Sequence, residues 1–211
     1  TPLGELVLRR RLSPSVPGEP VYEVKLNDEM LMSSVVNASE RALARLALEP
    51  QADRPYDVLV GGLGLGYTAA AALEFSRVRT LVIVELLAPV ISWHHRRLVP
   101  TASVLMDDPR CSIVEGDFFE LVSPGSGEGR FDAVLLDAPC TNSGVLARRA
   151  EARWRLSQEA LDAAVHEQER LIETAAGYLR PGGRLLYSTC SIEPEENSRL
   201  VASFLRRHRG F

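Results

Sequence analysis

Two short stretches that each contain a cysteine hold the side chains best suited to chemistry in this chain of 211 residues. The first is Asp137-Ala138-Pro139-Cys140, and the second is Ser188-Thr189-Cys190-Ser191. Each follows an apolar run, Phe131–Leu136 or Arg184–Tyr187, that is typical of a buried strand ending at one edge of a parallel sheet. We therefore expect two thiols and a carboxylate to face the same crevice.

Asp137, Cys140 and Cys190 could together perform covalent catalysis, because a thiolate is the strongest nucleophile that a side chain offers near neutral pH. The alternative is structural, since cysteine outside disulfides is among the most buried residue types. The polar neighbours of both cysteines favour strand exits over strand interiors. On the residues alone, both interpretations stay open.

The composition is typical of an ordinary soluble protein, with 45% hydrophobic and 25% charged residues. The length suits one domain. No apolar run reaches the roughly 20 residues that cross a membrane, and the first residues do not resemble a signal peptide, so we expect a cytoplasmic protein. The three cysteines fit neither a disulfide framework nor a zinc site, and we expect no metal.

The net charge of -4 argues against a protein that holds nucleic acid by bulk electrostatics. Two local clusters of arginine could still contact nucleic acid, although a solvated helix face is the commoner explanation for each cluster. One cluster is Arg148, Arg149, Arg153 and Arg155, and the other is Arg206, Arg207 and Arg209.

A glycine-rich turn between a predicted strand and a predicted helix indicates a ligand site. The strand is Tyr56–Val60, the helix is Tyr67–Phe75, and the turn contains Gly61, Gly62, Gly64 and Gly66. Glycines there let the backbone pass close to a ligand, and the helix start offers free N–H groups. The alternative is that the glycines only allow a tight turn that packs well and that the turn binds no ligand.

Two acids follow the next predicted strands and strengthen the ligand hypothesis. Glu85 ends the strand Thr80–Val84, about 20 residues beyond the glycines, where an acid can accept hydrogen bonds from ribose hydroxyls. Asp117 ends the strand Cys111–Asp117, where a carboxylate could receive an adenine amino group. The pattern therefore predicts a nucleoside-containing cofactor.

The other predicted elements complete an alternation of strands and helices. We expect a hairpin or small sheet within residues 3–26, helices at 34–48, 86–99, 157–179 and 194–208, a flexible loop at 123–130, and His94 and His95 on the surface. Pro181-Gly182-Gly183 is predicted to stop the long helix and to start the fifth strand.

This alternation predicts an α/β fold with a doubly wound, Rossmann-like sheet. We expect an amino-terminal β and helix extension at residues 1–50 and a cofactor-binding domain at residues 51–211. No further hairpin follows the last predicted helix before Phe211, and we expect a sheet without a closing hairpin and a fragment of a longer chain.

From Val58 to Asp117 the chain resembles the cofactor half of class I S-adenosylmethionine-dependent methyltransferases. Within that class, the residues from about Leu3 to Asp132 are most similar to spermidine-synthase-like proteins. The resemblance implies S-adenosylmethionine as the cofactor, bound by Gly61, Gly62, Gly64, Gly66, Glu85, Asp117 and Asp137.

From about Phe131 to Phe211 the chain resembles the Sun-type RNA (cytosine-5) methyltransferases, which include bacterial ribosomal RNA enzymes. The resemblance rests on Asp137-Ala138-Pro139-Cys140, Gly144-Val145, Trp154, Leu179-Arg180-Pro181-Gly182-Gly183, Tyr187-Ser188-Thr189-Cys190-Ser191-Ile192 and Glu195-Glu196-Asn197. It implies an RNA substrate and a Cys190 nucleophile that adds to carbon 6 of cytosine. It also implies that Asp137 holds and protonates the base edge and that Cys140 assists release of the enzyme.

Two departures from that group keep other interpretations open. Its glycine turn usually contains a cysteine and is followed by a lysine, and Gly61–Thr68 contains neither. Its amino-terminal RNA-binding portion is not recognisable. The alternatives are a spermidine-synthase-like aminopropyltransferase, favoured by the first 130 or so residues, and a cofactor-binding module without catalysis.

Overall fold

The computed structural model describes residues 1, 4–14, 16–27, 29–49, 54–120, 129–147 and 150–211, and these residues form two sheets. The strands are Leu6–Ser13 (β1), Val16–Leu26 (β2), Glu29–Ser33 (β3), Tyr56–Gly61 (β4), Val78–Glu85 (β5), Cys111–Glu115 (β6), Phe131–Asp137 (β7) and Leu179–Ser188 (β8). The α-helices are Ala38–Leu48 (α1), Tyr67–Leu73 (α2), Ala88–His95 (α3), Ala102–Asp107 (α4), Gln158–Gly177 (α5) and Ser198–Arg207 (α6). Short 3-10 helices lie at Ser143–Val145, Ala150–Arg155 and Pro194–Glu196.

The larger sheet is parallel, with the strand order β6-β5-β4-β7-β8. The chain first moves outward from β4 through β5 to β6, and then returns to add β7 and β8 on the other side of β4. This reversal leaves a crevice at the carboxyl ends of β4 and β7, where doubly wound proteins bind ligands. The predicted Rossmann-like α/β fold is confirmed.

The sheet is buried because helices cover both of its faces. Val58 and Val60 of β4 pack in one apolar cluster with α1, α2 and α3, while Leu59 between them packs in a second cluster with α5. Successive strand residues point to opposite faces, so a continuous apolar run is what such a strand requires. Complete burial of a side chain such as Leu59 stabilises the fold by about 1.5–3 kcal/mol.

The first three strands form a separate antiparallel sheet in the order β1-β2-β3. Val24 of β2 belongs to a small apolar cluster with Leu65 of the glycine turn, and Met32 of β3 packs against the same cluster. The predicted amino-terminal sheet is confirmed. It packs beside the carboxyl edge of the larger sheet, next to the glycine turn.

The fifth strand of the larger sheet begins earlier than the sequence predicts. Helix α5 starts after Ser157, whose hydroxyl accepts the Ala160 N–H at 3.1 Å, and it ends at Gly177. Strand β8 then starts at Leu179, so that Pro181 lies inside it and not at its start. This is possible because the pairing with β7 passes from Phe131–Leu179 directly to Ala133–Arg184, which leaves Pro181 in an irregular stretch without a paired residue.

Two predicted helices are also interrupted. The helix predicted at 86–99 ends at His95, and a separate α4 follows. The helix predicted at 194–208 is divided at Asn197, which has the non-helical angles φ -127° and ψ -102°. The Asn197 amide donates to the carbonyl groups of Ser191 and Glu193, and these bonds hold the chain in the interrupted geometry.

Most of the loop predicted at 123–130 lies outside the described residues. Within the described ranges, no helix is both long and apolar enough to cross a membrane. In the same ranges, β8 is the last strand of the larger sheet along the chain.

Candidate active site

The two cysteines meet because their strands are neighbours. Asp137 at the end of β7 is paired with Ser188 at the end of β8, and the chain leaves the sheet in the same direction from both residues. Cys140 and Cys190 follow within three residues, and their sulfur atoms lie 3.1 Å apart. The predicted meeting of the thiols with Asp137 at this edge is what the structure shows.

Asn142 folds back over the thiol pair. Its backbone has the left-handed φ of 61°, which asparagine tolerates better than most residues. The Cys190 thiol lies 3.0 Å from the Asn142 Oδ1 atom, to which it donates, and the Asn142 amide donates to the Cys140 carbonyl oxygen at 3.2 Å. No sequence motif pointed to Asn142, because a contact across 48 residues leaves no local pattern.

The contact between the sulfur atoms changes the acidity of Cys140. The hydrogen-bonding contact between the two sulfur atoms lowers the pKa of Cys140 to about 7, although burial acts in the opposite direction. The two sulfur atoms can therefore share one proton near neutral pH. Cys111 behaves differently, since burial beside the core raises the pKa of its thiol to about 11.

Asp137 faces the crevice and has a weakened acidity. Its side chain is accessible to solvent from the crevice, yet the surrounding protein removes enough solvation to raise its pKa. The Ser188 hydroxyl donates to Asp137 Oδ1 at 2.7 Å and acts against this shift, while the negative charge of Glu40 adds to it. Asp137 is thus better able to hold a proton than an ordinary aspartate.

The crevice is a cavity of about 450 Å³ between the two sheets. This volume lies in the range of pockets that bind small molecules. Its walls include the glycine turn, the ends of β5, β7 and β8, and the extension, with Met30, Met32, Glu40, Gly61, Gly62, Gly64, Gly66, Glu85, Asp137, Asn142 and Cys190 among the lining residues. Cys190 lines the cavity, whereas half-buried Cys140 lies behind it.

The glycine turn depends on backbone conformations that favour glycine. Gly62 and Gly66 have φ values of 90° and 81°. A Cβ atom at Gly66 would lie 2.5 Å from the Thr101 hydroxyl, whereas one at Gly62 would meet nothing within 4 Å. Gly66 therefore serves close packing, and Gly62 leaves space at the cavity wall.

Glu85 holds the turn in place. Its carboxylate accepts the Leu63 N–H at 2.9 Å and the Leu87 N–H at 2.8 Å, and only 8% of the residue is exposed. The predicted placement of Glu85 beside the glycines is what the structure shows. Each carboxylate oxygen retains lone-pair capacity for a ligand hydroxyl in the cavity.

Asp117 is the one predicted cofactor residue that does not line the cavity. It follows the edge strand β6, and its carboxylate accepts the Phe119 N–H at 2.9 Å in a local turn. Its proposed contact with an adenine amino group stays a prediction.

The prediction that both His94 and His95 are on the surface is wrong for His94, which is fully buried, while His95 is exposed. His94 Nε2 lies 3.0 Å from the Gly64 carbonyl oxygen and must donate to it, since a carbonyl only accepts. Burial lowers the pKa of His94, so the ring is a neutral support beneath the glycine turn.

Two further expectations concern metals and charge. The residues with described structure contain no group of three or more histidine, cysteine or acidic side chains that could hold a metal ion. Arg153 and Arg155 are exposed on either side of Trp154, which is 88% exposed, while Arg148 and Arg149 lie outside the described residues. In the second cluster, Arg207 pairs with Glu173 at 2.9 Å.

Comparison with known families identifies the part of the chain that carries the thiols. Residues 95–211 match the family model described as 16S rRNA methyltransferase RsmB/F. The chain belongs to this family. The RsmB/F match contains Asp137, Cys140 and Cys190, and it begins earlier than the Sun-type resemblance in the sequence, so that Asp117 is also included.

Curated relatives in the RsmB/F family carry the name ribosomal RNA small subunit methyltransferase B. The protein from Enterobacter sp. (strain 638) is 33% identical over 130 residues, which are 54% of this chain and 30% of the relative. The protein from Klebsiella pneumoniae is 42% identical over 81 residues, 38% of this chain and 19% of the relative. The chain thus spans less than a third of these relatives.

Solved structures with a similar fold include an NSun6 protein and a spermidine synthase. NSun6 from Pyrococcus horikoshii, crystallised with SFG, has a TM-score of 0.65 and 24% identity over 81% of this chain and 41% of that chain. Spermidine synthase from Thermotoga maritima has a TM-score of 0.56 and 18% identity over 94% of this chain and 62% of that chain. At these identities the likeness concerns the fold, which the RsmB/F chain shares with both.

Proposed function

We propose that this chain is the catalytic part of an S-adenosylmethionine-dependent methyltransferase that forms 5-methylcytosine in RNA. The observation that carries the proposal is the pair of thiols, 3.1 Å apart, at the wall of a cavity that also contains Asp137. A methyltransferase that alkylates an oxygen or nitrogen atom needs no cysteine nucleophile, whereas carbon 5 of cytosine is electron-poor and becomes nucleophilic only after a nucleophile has added to carbon 6. Membership in the RsmB/F family supports a ribosomal RNA substrate.

The residues around the cavity fit S-adenosylmethionine. The open space at Gly62 lets the backbone approach a ligand closely, and the Glu85 carboxylate is placed to accept hydrogen bonds from ribose hydroxyls. Met30 and Met32 of β3 supply an apolar wall. When bound, the cofactor supplies an electrophilic methyl group.

The positions of the sulfur atoms suggest different roles for the two cysteines. Cys190 lines the cavity and can reach carbon 6 of a cytosine that enters it. Cys140 lies behind Cys190, and its pKa of about 7 suits a general base that accepts the Cys190 proton. The resulting Cys190 thiolate forms a bond to carbon 6, and carbon 5 becomes nucleophilic.

Release of the product requires that carbon 5 lose its proton and that the bond from Cys190 to carbon 6 break. Once Cys140 has passed to solvent the proton that it took from Cys190, its thiolate can accept the carbon-5 proton, and the Cys190 sulfur leaves carbon 6 as a thiolate. Asp137, whose pKa is raised mainly by burial, can protonate the base edge during addition and take the proton back during release.

The first experiment is calorimetric titration of the purified chain with S-adenosylmethionine, S-adenosylhomocysteine and decarboxylated S-adenosylmethionine. Tight binding of the first two ligands, followed by methylation of ribosomal RNA that Cys190→Ala abolishes, is the expected result. Cys111→Ala is the matched control, since that thiol lies away from the cavity and in contact with the core.

The same titration tests the two alternatives. Preference for the decarboxylated compound, with transfer of an aminopropyl group to an amine, would favour the spermidine-synthase-like function. Binding of S-adenosylmethionine without methyl transfer to any cytosine would favour a module without catalysis.

Domain organisation and location form part of this proposal. Residues 51–211 would constitute the cofactor-binding domain, and residues 1–50 an extension that completes the cavity with Met30, Met32 and Glu40. An enzyme that modifies ribosomal RNA would act where ribosomes are made, which for a bacterial protein is the cytoplasm.

A further inference from the structure

A buried carboxylate lies near Cys140 and is not among the residues that line the cavity. Glu196 is fully inaccessible to solvent, and it lies at the end of the 3-10 helix Pro194–Glu196, six residues after Cys190. Burial acts to raise its pKa, but hydrogen bonds from Ser191, Thr141 and Gln168 outweigh burial, so the pKa of Glu196 is lowered and the group stays ionised. Ser191, Thr141 and Gln168 are all uncharged, so hydrogen bonds and not an opposite charge keep Glu196 ionised.

The donors to Glu196 come from three different segments of the chain, which contain Thr141, Gln168 and Ser191. The Thr141 N–H donates to Oε1 at 2.9 Å, and the Thr141 hydroxyl donates to Oε2 at 2.5 Å. The Gln168 amide of α5 donates to Oε1 at 2.8 Å. A buried carboxylate is costly unless hydrogen bonds replace its lost solvation, and here the bonds that do so tie Glu196 to Thr141 and Gln168.

These hydrogen bonds hold the chain on both sides of Cys140. The same Gln168 Nε2 atom donates to the Pro139 carbonyl oxygen at 2.8 Å, so Gln168 fixes the residue before Cys140. Glu196 fixes the residue after it through Thr141. Gln168 is fully buried and uses both of its N–H groups for these contacts.

We propose that Glu196, together with Gln168, is a positioning pair that holds Cys140 within proton-sharing distance of Cys190. The catalytic importance of this pair depends on the proposed function, but the effect on the thiols does not. Glu196 and Gln168 touch neither the cavity nor its contents, and they act through the backbone of Pro139 and Thr141.

The acidity of the thiol pair reports this geometry directly. Among the described residues, the titratable groups that interact with Cys140 include Cys190, Glu196 and Tyr187, and Asp137 in turn acts on Tyr187. The negative charge of Glu196 acts to raise the pKa of Cys140. A variant that lost only this charge, with the geometry unchanged, would therefore have a still lower pKa at Cys140. Loss of the contact with Cys190 has the opposite sign, because that hydrogen bond is the main cause of the low pKa.

The test is thiolate absorbance measured against pH in the purified chain, without RNA or cofactor. Cys111 does not interfere below about pH 9, since its pKa is near 11. For Glu196→Gln we expect the pKa of the pair to rise from about 7 toward the value of about 8.5 of an unperturbed cysteine. Because Glu196→Gln also removes a charge that raises this pKa, the proposal is overturned if the pKa stays unchanged or falls in the two variants below that keep the charge.

Two milder variants keep the test decisive if Glu196→Gln does not fold. Gln168→Met removes the donors to Pro139 and Glu196 at nearly constant volume, and Thr141→Val removes only the hydroxyl donor. Both leave the Glu196 charge in place, and both should raise the pKa of the pair. The matched control is Glu195→Gln, whose carboxylate pairs with Arg199 at the surface and should leave the pKa unchanged.

Methyl transfer provides a separate readout. We expect Glu196→Gln to lower kcat about tenfold or more and to shift the pH profile upward, with little change in KM for S-adenosylmethionine. If the wild-type chain methylates no RNA, the proposed function fails while the thiol titration still decides the positioning role.

Discussion

The Ser188 hydroxyl donates a 2.7 Å hydrogen bond to the Asp137 carboxylate, and these two residues are also paired across the parallel strands β7 and β8. Both loops that carry the thiols begin at this pair of residues. Cys140 and Cys190 are 50 residues apart in the sequence, and their sulfur atoms are 3.1 Å apart in the structure. The acid and the two thiols therefore form one unit whose parts can be changed separately.

Replacement of the two cysteines should have different consequences. Cys190→Ala should reduce methyl transfer by about 10⁴-fold or more, because the nucleophile is lost. Cys140→Ala should instead allow addition but slow release, so that a covalent complex between protein and RNA accumulates. Denaturing gel electrophoresis after incubation with RNA and S-adenosylmethionine measures both outcomes. An adduct that forms with Cys190→Ala would contradict the assignment of the nucleophile.

The reactivity of the thiol pair should depend on pH near neutrality. The pKa of Cys140 is lowered to about 7, chiefly by the hydrogen bond with Cys190, so the thiolate is present above that pH and is lost as the pH falls through it. Alkylation by iodoacetamide should therefore increase up to about pH 7 and then level off. Peptide mapping by mass spectrometry distinguishes this pair from Cys111, which should react at a pH nearer 11.

Replacement of Asp137 by asparagine should lower activity while increasing stability at high pH. Activity should fall by about 10²–10⁴-fold if Asp137 transfers a proton. Because burial raises the pKa of Asp137, the ionised form is disfavoured in the folded protein, and Asp137→Asn removes that penalty above the folded pKa. The difference in melting temperature between variant and wild type should disappear as the pH falls and Asp137 becomes protonated. A melting temperature that is lower at every pH would contradict this account.

The two predicted cofactor acids should differ in their effects on binding. Glu85 lines the cavity and Asp117 does not. Glu85→Ala should weaken S-adenosylmethionine binding by about 10–100-fold, which corresponds to the loss of about 1.5–3 kcal/mol for a hydrogen bond to a charged group. Asp117→Ala should have a smaller effect in the same calorimetric titration. Equal losses would indicate that Asp117 contacts the cofactor as the sequence predicts.

Alanine at two glycines of the turn should separate packing from ligand binding. Both variants adopt an unfavourable positive φ, at a cost of about 1–3 kcal/mol each. Gly66→Ala also brings a methyl group 2.5 Å from the Thr101 hydroxyl, so it should lower the melting temperature more than Gly62→Ala does. Gly62→Ala should mainly weaken cofactor binding, because its methyl group enters open space at the cavity wall.

Local patterns were sufficient for the larger sheet and for the position of the thiols. The apolar run before Asp137 is fully buried as β7, and the glycines after β4 form the turn that lines the cavity. Such predictions succeed because strand burial and sheet order follow from short-range periodicity and from the few topologies that parallel strands allow. They failed at Pro181 and Asn197, where strand position and side-chain hydrogen bonds override local signals.

The sequence by itself determined the fold class, the acid and thiols at the strand ends, and the glycine turn beside Glu85. Tertiary structure alone decided that Cys140 lies behind Cys190, that His94 is buried beneath Gly64, and that Glu196 reaches Thr141. The reason is physical: residue type and spacing set which element forms, but a hydrogen bond, a pKa or an exposed fraction depends on atoms that distant parts of the chain bring together.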